Sequence, residues 1–394
     1  MKIIVNTSTY KEGINESTPT FINNLIDNMS EKNSFYILYP MKSSVYPSLP
    51  VGKNIKLIPY RYFFFKKFQT LDKYGLLPSI KKNNLNIIKV LFLIIFQFFN
   101  LFIYSIKLRP DYIYAHWIFP QAFISSIIGK LLNIKVVFTS HGSDVLILRK
   151  FKSLGNFIIK YTLKNSLKYS FVSHKNKNFI PSSLVESKKS IVIPMGISDE
   201  FFFQKKVNYE TKGSFLYFGR LVDYKGIDIL IHSLKNIKDS GVFFNLNIIG
   251  DGVEKNNLIK LVHQLQMIDN VKFHSFKNTS ELIELIDKSE LVLIPSLESK
   301  NQFEAGPLSL MESLARQKVC IVSNSIGFID YLDNSNSIIF KSGNVESLTS
   351  SILKFVDLSE DEKRFLQTNG SKVSENFNFS KISYEKEVFL FDKD

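Results

Sequence analysis

From about residue 214 onward, short apolar runs alternate with amphipathic stretches, and that alternation limits the possible folds more than any other feature of the chain. "SFLYF", "FFNLNIIG", "NVKF", "LVLIP", "VCIVS" and "SIIF" are brief and largely apolar or β-branched. Amphipathic segments such as "KGIDILIHSLKNI" and "TSELIELIDKS" separate them. Strand and helix in strict turn predict an α/β fold, with a parallel sheet covered by helices on both faces. The first half repeats the theme less regularly with "KIIVN", "SFYILYP", "DYIYA", "IKVVFTS" and "KYSFVS". A chain of 394 residues exceeds one ordinary core, so two domains are expected. "IVIPMGISDEFF" reads as the passage between them, giving residues 1–195 and 196–375. The closing "FNFSKISYEKEVFLF" predicts a last amphipathic helix in residues 376–394, packing back toward the first domain.

Composition sets the class of partner. Hydrophobic and charged fractions of 45% and 22% are those of a soluble globular protein. The single cysteine, Cys320, excludes an intramolecular disulfide, and within "KVCIVSN" it reads as a small core hydrophobe. "MKIIVNTSTY" enters a strand with no signal-peptide core, so a reducing cytoplasm is expected. A net charge of +14 calls for an anionic partner: nucleic acid, a phosphate-bearing substrate or a membrane surface. Between Arg149 and Lys189 every charged residue but Glu186 is basic. From Tyr60, "YRYFFFKKFQTLDKYG" mixes aromatics with base, and Lys81, Lys82 and Lys89 follow. No recognised nucleic-acid motif accompanies this charge, so nucleic acid is not expected as a partner. "VLFLIIFQFFNLFIYSI", residues 90–106, is nearly all apolar and close to the shortest length that spans a bilayer. Gln97 and Asn100 interrupt it and a strand follows at once, so a buried crossover helix is predicted. An in-plane membrane contact and a true span are the alternatives.

In open α/β sheets, ligands gather beyond the carboxyl ends of the strands. "SFLYF" is followed by "GRLVDYKG", "NLNII" by "GDG" and "LVLI" by "PSLESKNQFEAGP", so Gly219, Arg220, Lys225, Gly250 and Glu304 share one edge. In "FEAGPLSLMESLA" Pro307 suits a first helical turn. At about 100° per residue, Leu308, Met311, Leu314 and Ala315 form an apolar face, with Ser309, Ser313 and Gln317 pointing away. Glu312 falls on that face, where a carboxylate is costly unless paired. A diphosphate at this edge would meet free N–H groups near Gly306 and Pro307, the fork of Arg220 and the point charge of Lys225. Glu304 and Glu312 repel phosphate but accept from hydroxyls. The helical rise would set them ~10–12 Å apart, near the span of a nucleoside diphosphate sugar.

These residues resemble the retaining family-4 glycosyltransferases of the GT-B fold, and the likeness covers nearly the whole chain. It rests on the Glu–seven residues–Glu spacing of Glu304 and Glu312, together with "GRLVDYKGIDILI", "IIGDGVEKNNL", "LVLIPS" and "IPMGIS". The resemblance implies two Rossmann-like parallel-sheet domains facing across a cleft. It implies that Arg220 and Lys225 bind the diphosphate, Glu304 the donor sugar and Glu312 the ribose. Gly219, Gly250, Gly306, Pro307 and Leu308 would line the donor site. "VVFTSHGSDV" matches the cleft histidine motif, placing His141 near the reacting sugar with Asp144 on the same loop. His116 and Trp117, in "YAHWIFP", are further acceptor-side candidates. The implied activity is a hexosyltransferase (EC 2.4) that moves sugar from a UDP- or GDP-linked donor to a glycan or lipid-linked glycan. Its setting would be the inner face of the plasma membrane, as a peripheral protein of bacterial surface-polysaccharide assembly. No metal or other cofactor is expected, and the Asp392/Asp394 pair at the chain end reads as incidental. Two departures stand out: the first loop, "YKEGINESTPTF", has only Gly13, and "HSF" follows "NVKF" where relatives carry glycine. A non-catalytic nucleotide-sugar-binding relative, acting as sensor or partner subunit, is the alternative. The intact Arg220, Lys225, Glu304 and Glu312 argue against it.

Overall fold

A computed structural model describes residues 1–11, 20–41, 52–63, 69, 86–202, 212–275, 278–298 and 302–391. Gly13, Lys81, Lys82, Phe276, Asp392 and Asp394 lie outside the described residues, so the readings that rest on them stay at the level of sequence. Contacts divide the chain into two units, Met1–Pro194 with Ser380–Asp394, and Met195–Phe379.

In the first unit, β1 (Lys2–Asn6), β2 (Ser34–Pro40), β3 (Ile55–Tyr60), β4 (Tyr112–His116), β5 (Lys135–Ser140), β6 (Lys168–Phe171) and β7 (Ser190–Val192) form one sheet. Their order is β3-β2-β1-β4-β5-β6-β7, with every pair parallel. Ile3, Ile4 and Val5 are all buried, as a strand covered on both faces requires. The winding reverses between β1 and β4, so the loops after these strands part and leave room at the sheet edge. The helices are α1 (Phe21–Asp27), α2 (Asn86–Leu108), α3 (Phe123–Leu132), α4 (Ser143–Lys150), α5 (Lys152–Lys164) and α6 (His174–Asn178). The buried crossover helix expected at residues 90–106 takes a different form. α2 does connect β3 to β4, but only Leu93, Gln97, Leu101 and Ser105 are buried. A stripe one residue wide per turn meets the domain, and the remaining apolar side chains are partly or largely exposed.

The second unit contains β8 (Ser214–Phe218), β9 (Asn245–Ile249), β10 (Val271–His274), β11 (Leu291–Ile294), β12 (Val319–Ser323) and β13 (Ile338–Phe340). Their order, β10-β9-β8-β11-β12-β13, is again all parallel. The two-residue period of a strand sends alternate side chains to opposite faces. Phe215, Tyr217, Leu291, Leu293, Val319 and Ile321 enter one core, whereas Leu216, Phe218, Val292, Ile294, Cys320 and Val322 enter the other. Cys320 is therefore a packed core residue. α7 (Ile227–Asp239), α8 (Lys255–Gln264), α9 (Thr279–Lys288), α10 (Leu308–Ala315), α11 (Val345–Val356) and α12 (Glu360–Ser374) complete this unit. α9 and α12 each start with a capping box, Asn278 with Glu281 and Ser359 with Glu362, which satisfies helix-end N–H groups that would otherwise lack partners. The last helix, α13 (Phe379–Leu390), packs on the first unit. There Glu387 accepts from the Ser30 N–H at 2.8 Å and from the Asn33 amide at 2.8 Å.

The loops after β8 and β9 are stitched together at the backbone. Gly219 N–H donates to the Ile249 carbonyl at 3.0 Å, and Leu221 N–H donates to the Asp251 carbonyl at 3.0 Å. Gly250, at φ +150°, lies so close that a Cβ there would sit 1.9 Å from the Gly219 carbonyl oxygen. The atom it would strike is backbone, which cannot swing aside. Gly250→Ala should therefore destabilise this unit by about 2–4 kcal/mol. Denaturant melts of wild type and variant check this, and equal midpoints would show that the two loops part freely.

Candidate active site

The winding of the second sheet reverses between β8 and β11, and the loops that leave these two strands carry the charged residues. After β8 the chain runs through Gly219 and Arg220 to a short turn at Asp223–Lys225, ended by Gly226 at φ +64°. After β11 it runs through Pro295 to Glu304. The two loops touch: Leu297 N–H donates to the Tyr224 carbonyl at 2.7 Å, and a Cβ on Gly226 would lie 2.2 Å from the Pro295 carbonyl oxygen. This contact brings Lys225 and Glu304, distant in sequence, into an ion pair. Their side chains are only 12% and 13% exposed, so each charge depends on the other for much of its stabilisation. The Glu304 backbone is fixed as well, its carbonyl accepting from the Gly327 N–H at 2.7 Å. Gly219 borders the pair, since a Cβ there would be 4.0 Å from Lys225 Nζ.

Two tyrosines complete this edge, and sequence reasoning missed both. Tyr224 accepts a hydrogen bond from the Arg220 guanidinium, and its ring lies 5.9 Å from the cationic groups of both Arg220 and Lys225. Tyr217 donates to the Arg220 carbonyl at 3.0 Å. Burial, with the Glu304 charge nearby, holds the Tyr217 phenol well above its ordinary pKa, so it stays a neutral donor. The available signal was Tyr224 itself, lying between the two cations in "RLVDYK". An aromatic at that place is the natural spacer for like charges.

At α10 the structure corrects several expectations. Pro307 is the N-cap, with extended ψ of 105°, and the helix begins at Leu308. Residues 304–307 therefore precede the helix, and a helical rise does not measure the separation of Glu304 from Glu312. Leu310 and Ser313 are buried with Met311, Leu314 and Ala315, whereas Leu308 is only partly buried. Ser313 tolerates its inward position because its hydroxyl donates to the Ser309 carbonyl at 2.7 Å. Gly306 serves packing: a Cβ would lie 2.4 Å from the Phe328 ring, so the missing side chain admits Phe328. Glu312 is partly buried, and desolvation raises its carboxyl to about 7. His274, the first residue of "HSF", holds the Asn247 side chain at 2.8 Å across β10 and β9.

In the first unit His116 ends β4 and His141 follows β5, neighbouring strands. His116 Nδ1 and His141 Nε2 are 3.0 Å apart, so one proton joins the two rings. Burial, aided by the Lys386 charge, lowers His116 to about 3, and burial also holds His141 well below the ordinary histidine value. Both are neutral imidazoles at pH 7, and His141 can offer a dipole or hydrogen bond but not a full charge. His116 is completely buried, with its Nε2 lacking a partner, so it sits behind His141 and not on an open acceptor surface. Trp117 is partly exposed and its ring lies 4.8 Å from that of His141. Asp144 is also internal. Its carboxylate accepts from the Ile118 N–H at 2.6 Å, the Gly142 N–H at 2.9 Å and the Ser140 hydroxyl at 3.2 Å. It ties the loop bearing His141 to the loop bearing Trp117 and has the geometry of a positioning residue. Among the described residues no group of three or more His, Cys, Asp or Glu is placed to hold a metal ion.

Two all-parallel units of this winding have the architecture of the GT-B class. Residues 198–372 match the family model described as glycosyl transferases group 1, and residues 79–173 that described as glycosyl transferase 4-like. The chain is a glycosyltransferase of the GT-B fold. It is 28% identical to an uncharacterized glycosyltransferase of Methanocaldococcus jannaschii over 69% of this chain and 72% of that one. A putative colanic acid biosynthesis glycosyltransferase, WcaL, of Escherichia coli is 26% identical over 42% of each chain. Among solved structures, Anabaena HepE in complex with UDP superposes with a TM-score of 0.70 at 13% identity, covering 100% of both chains.

The raised carboxyl of Glu312 makes a prediction whose sign can be worked out. Its native pKa of about 7 lies above the unperturbed 4.5, so across that window the native chain holds a proton that the unfolded chain has released. Stability is then lost as pH rises from about 4.5 to 7, by on the order of 3 kcal/mol. Glu312→Gln removes that cost and should be more stable than wild type at pH 8, with the advantage gone at pH 4. Melts at the two pH values test this, and an advantage of equal size at both would mean that Glu312 is not desolvated.

Proposed function

We propose that the protein is a retaining hexosyltransferase that moves a sugar from a nucleoside diphosphate donor, UDP- or GDP-linked, to a hydroxyl of a glycan or lipid-linked glycan. The observation that carries this reading is the Lys225–Glu304 pair beside Arg220 at the reversal point of the second sheet. Without ligand, Lys225 spends its charge on Glu304. A diphosphate at the same edge would draw Lys225 and Arg220 to its oxygens and release the Glu304 carboxylate to accept from sugar hydroxyls. Glu312 would accept from the ribose, which favours its ionised form. As the bond from anomeric carbon to diphosphate breaks, charge grows on the departing oxygen, and the two cations stabilise it there. That oxygen takes the proton of the acceptor hydroxyl while the acceptor oxygen bonds to the anomeric carbon on the same face, so configuration is retained. Arg220 and Lys225 supply the positive charge, so the reaction is expected to proceed without metal. His141 would hydrogen-bond a sugar hydroxyl as a neutral imidazole. The first unit would receive the acceptor, and the cytoplasm, in surface-polysaccharide assembly, is the proposed setting. The similarity to WcaL, a putative colanic acid biosynthesis glycosyltransferase, supports that setting.

Arg220→Ala or Lys225→Ala should lower turnover by orders of magnitude with the fold intact, since one such electrostatic donor typically contributes about 3 kcal/mol to barrier lowering. Steady-state transfer or donor hydrolysis is the measurement, and near-normal turnover in both variants would overturn the donor-site assignment. Glu312→Gln should weaken UDP or GDP binding and reduce discrimination against the 2′-deoxy nucleotide. The wild type should bind nucleotide more tightly as pH rises through about 7, and the variant should lose that component. Calorimetric titrations of both proteins at pH 6 and 8 decide this, and equal losses for ribo and deoxy nucleotides would make Glu312 purely structural.

A further inference from the structure

α2 is built inside out. Along its 23 residues the side chains that face the domain include the polar Gln97 and Ser105, both buried. Gln97 donates to the Asn6 side chain at 2.7 Å, in the centre of the unit. The opposite face carries Ile87, Ile88, Leu91, Ile95, Phe99 and Ile106, with Leu91, Ile95 and Phe99 at 55%, 50% and 56% exposure. Between Lys89 and Lys107 the helix has no charged residue at all. A surface helix in water shows the reverse arrangement, and a contiguous exposed apolar ridge marks a surface made for a partner.

The same helix layer continues this chemistry. α3 packs against both α2 and α5, and its last turn exposes Leu131. Phe151, just before α5, and Leu154 and Phe157 on that helix are each more than half exposed. Among them stand the exposed Lys152, Lys160 and Lys164, and α5 contains no acid. Apolar side chains set among cations fit a surface that offers hydrocarbon and negative charge together. We infer that α2, with the α5 face beside it, docks the protein on an anionic lipid bilayer, α2 lying in the plane of the interface with its outer ridge below the headgroups. The helix is long and apolar enough to cross a membrane, but its inner stripe is packed along the sheet. Spanning would carry the polar ends of that sheet and its loops into hydrocarbon. A second copy of the chain is a poorer occupant, because it would bring the basic layer against itself. The docking does not rest on the sugar-transfer reading: a protein that binds vesicles without transferring sugar would refute the latter alone.

The test is co-sedimentation of the full chain with phosphatidylglycerol-containing and with pure phosphatidylcholine vesicles across a salt series. The expected result is binding to the anionic vesicles that high salt weakens without abolishing. Ile95→Gln with Phe99→Gln should lower the vesicle partition coefficient about tenfold and leave the remainder fully reversible by salt. Lys152→Gln with Lys160→Gln and Lys164→Gln should lower it at low salt only. An environment-sensitive dye on Ile95→Cys should shift to the blue with anionic vesicles; Cys320 is fully buried and stays unlabelled. This reading also decides the matter should the glutamine pair fail to fold. Equal partition of wild type and the glutamine pair, or an unshifted dye, would overturn the proposal. So would the absence of vesicle binding, with or without a concentration-dependent dimer that the glutamine pair dissolves.

Discussion

A parallel sheet covered on both faces leaves polar chemistry almost nowhere to go. Along β11 and β12 every residue is buried, and alternate side chains enter two separate apolar cores. A charge on those strands would lack both water and partner. The strand ends are the exception, and the reversal of winding between β8 and β11 opens them to opposite sides. The charged residues of the second unit that matter here lie in the loops leaving those two strands, held by glycines whose missing side chains let backbone touch backbone. The site arises from the packing constraint of the sheet.

Within that site, charge is held in a partly buried pair. Lys225 and Glu304 are both mostly withdrawn from water and stabilise each other. Removing one partner leaves a charge that is costly to keep, but replacing one partner with a more anionic group keeps the cation satisfied and frees the acid. Tyr224 against Arg220 and Lys225 adds a π-face that carries no charge of its own. Glu312 is the counterpart. Among the described residues no cation steadies its carboxyl, which answers burial by holding its proton up to about pH 7.

The first unit solves a different problem with buried polar groups. The His116–His141 contact and the Asp144 carboxylate link the ends of β4 and β5, so the loops there are fixed from beneath. α2 inverts the usual rule. Gln97 and Ser105 are buried beside Leu93 and Leu101, while Leu91, Ile95 and Phe99 stand half exposed on the outer face.

The alternation of apolar runs and amphipathic stretches was enough to specify parallel sheets, because strand and helix periodicities are local properties of the chain. The edge shared by Gly219, Arg220, Lys225, Gly250 and Glu304 was legible for the same reason: residues that come directly after a strand must lie at its carboxyl end. Pairing was not legible. That Lys225 meets Glu304, that Tyr224 and Tyr217 join them, and that Gly306 yields to Phe328 depends on loops brought together by the order β8-β11-β12. The roles of Asp144 and His116 shifted inward because a motif names a residue but not the direction of its side chain. Hydropathy alone made residues 90–106 apolar. Only the packing of Gln97 onto Asn6 decided which face turns outward, since a helix with apolar residues all around has no preferred side until something polar in the interior claims one.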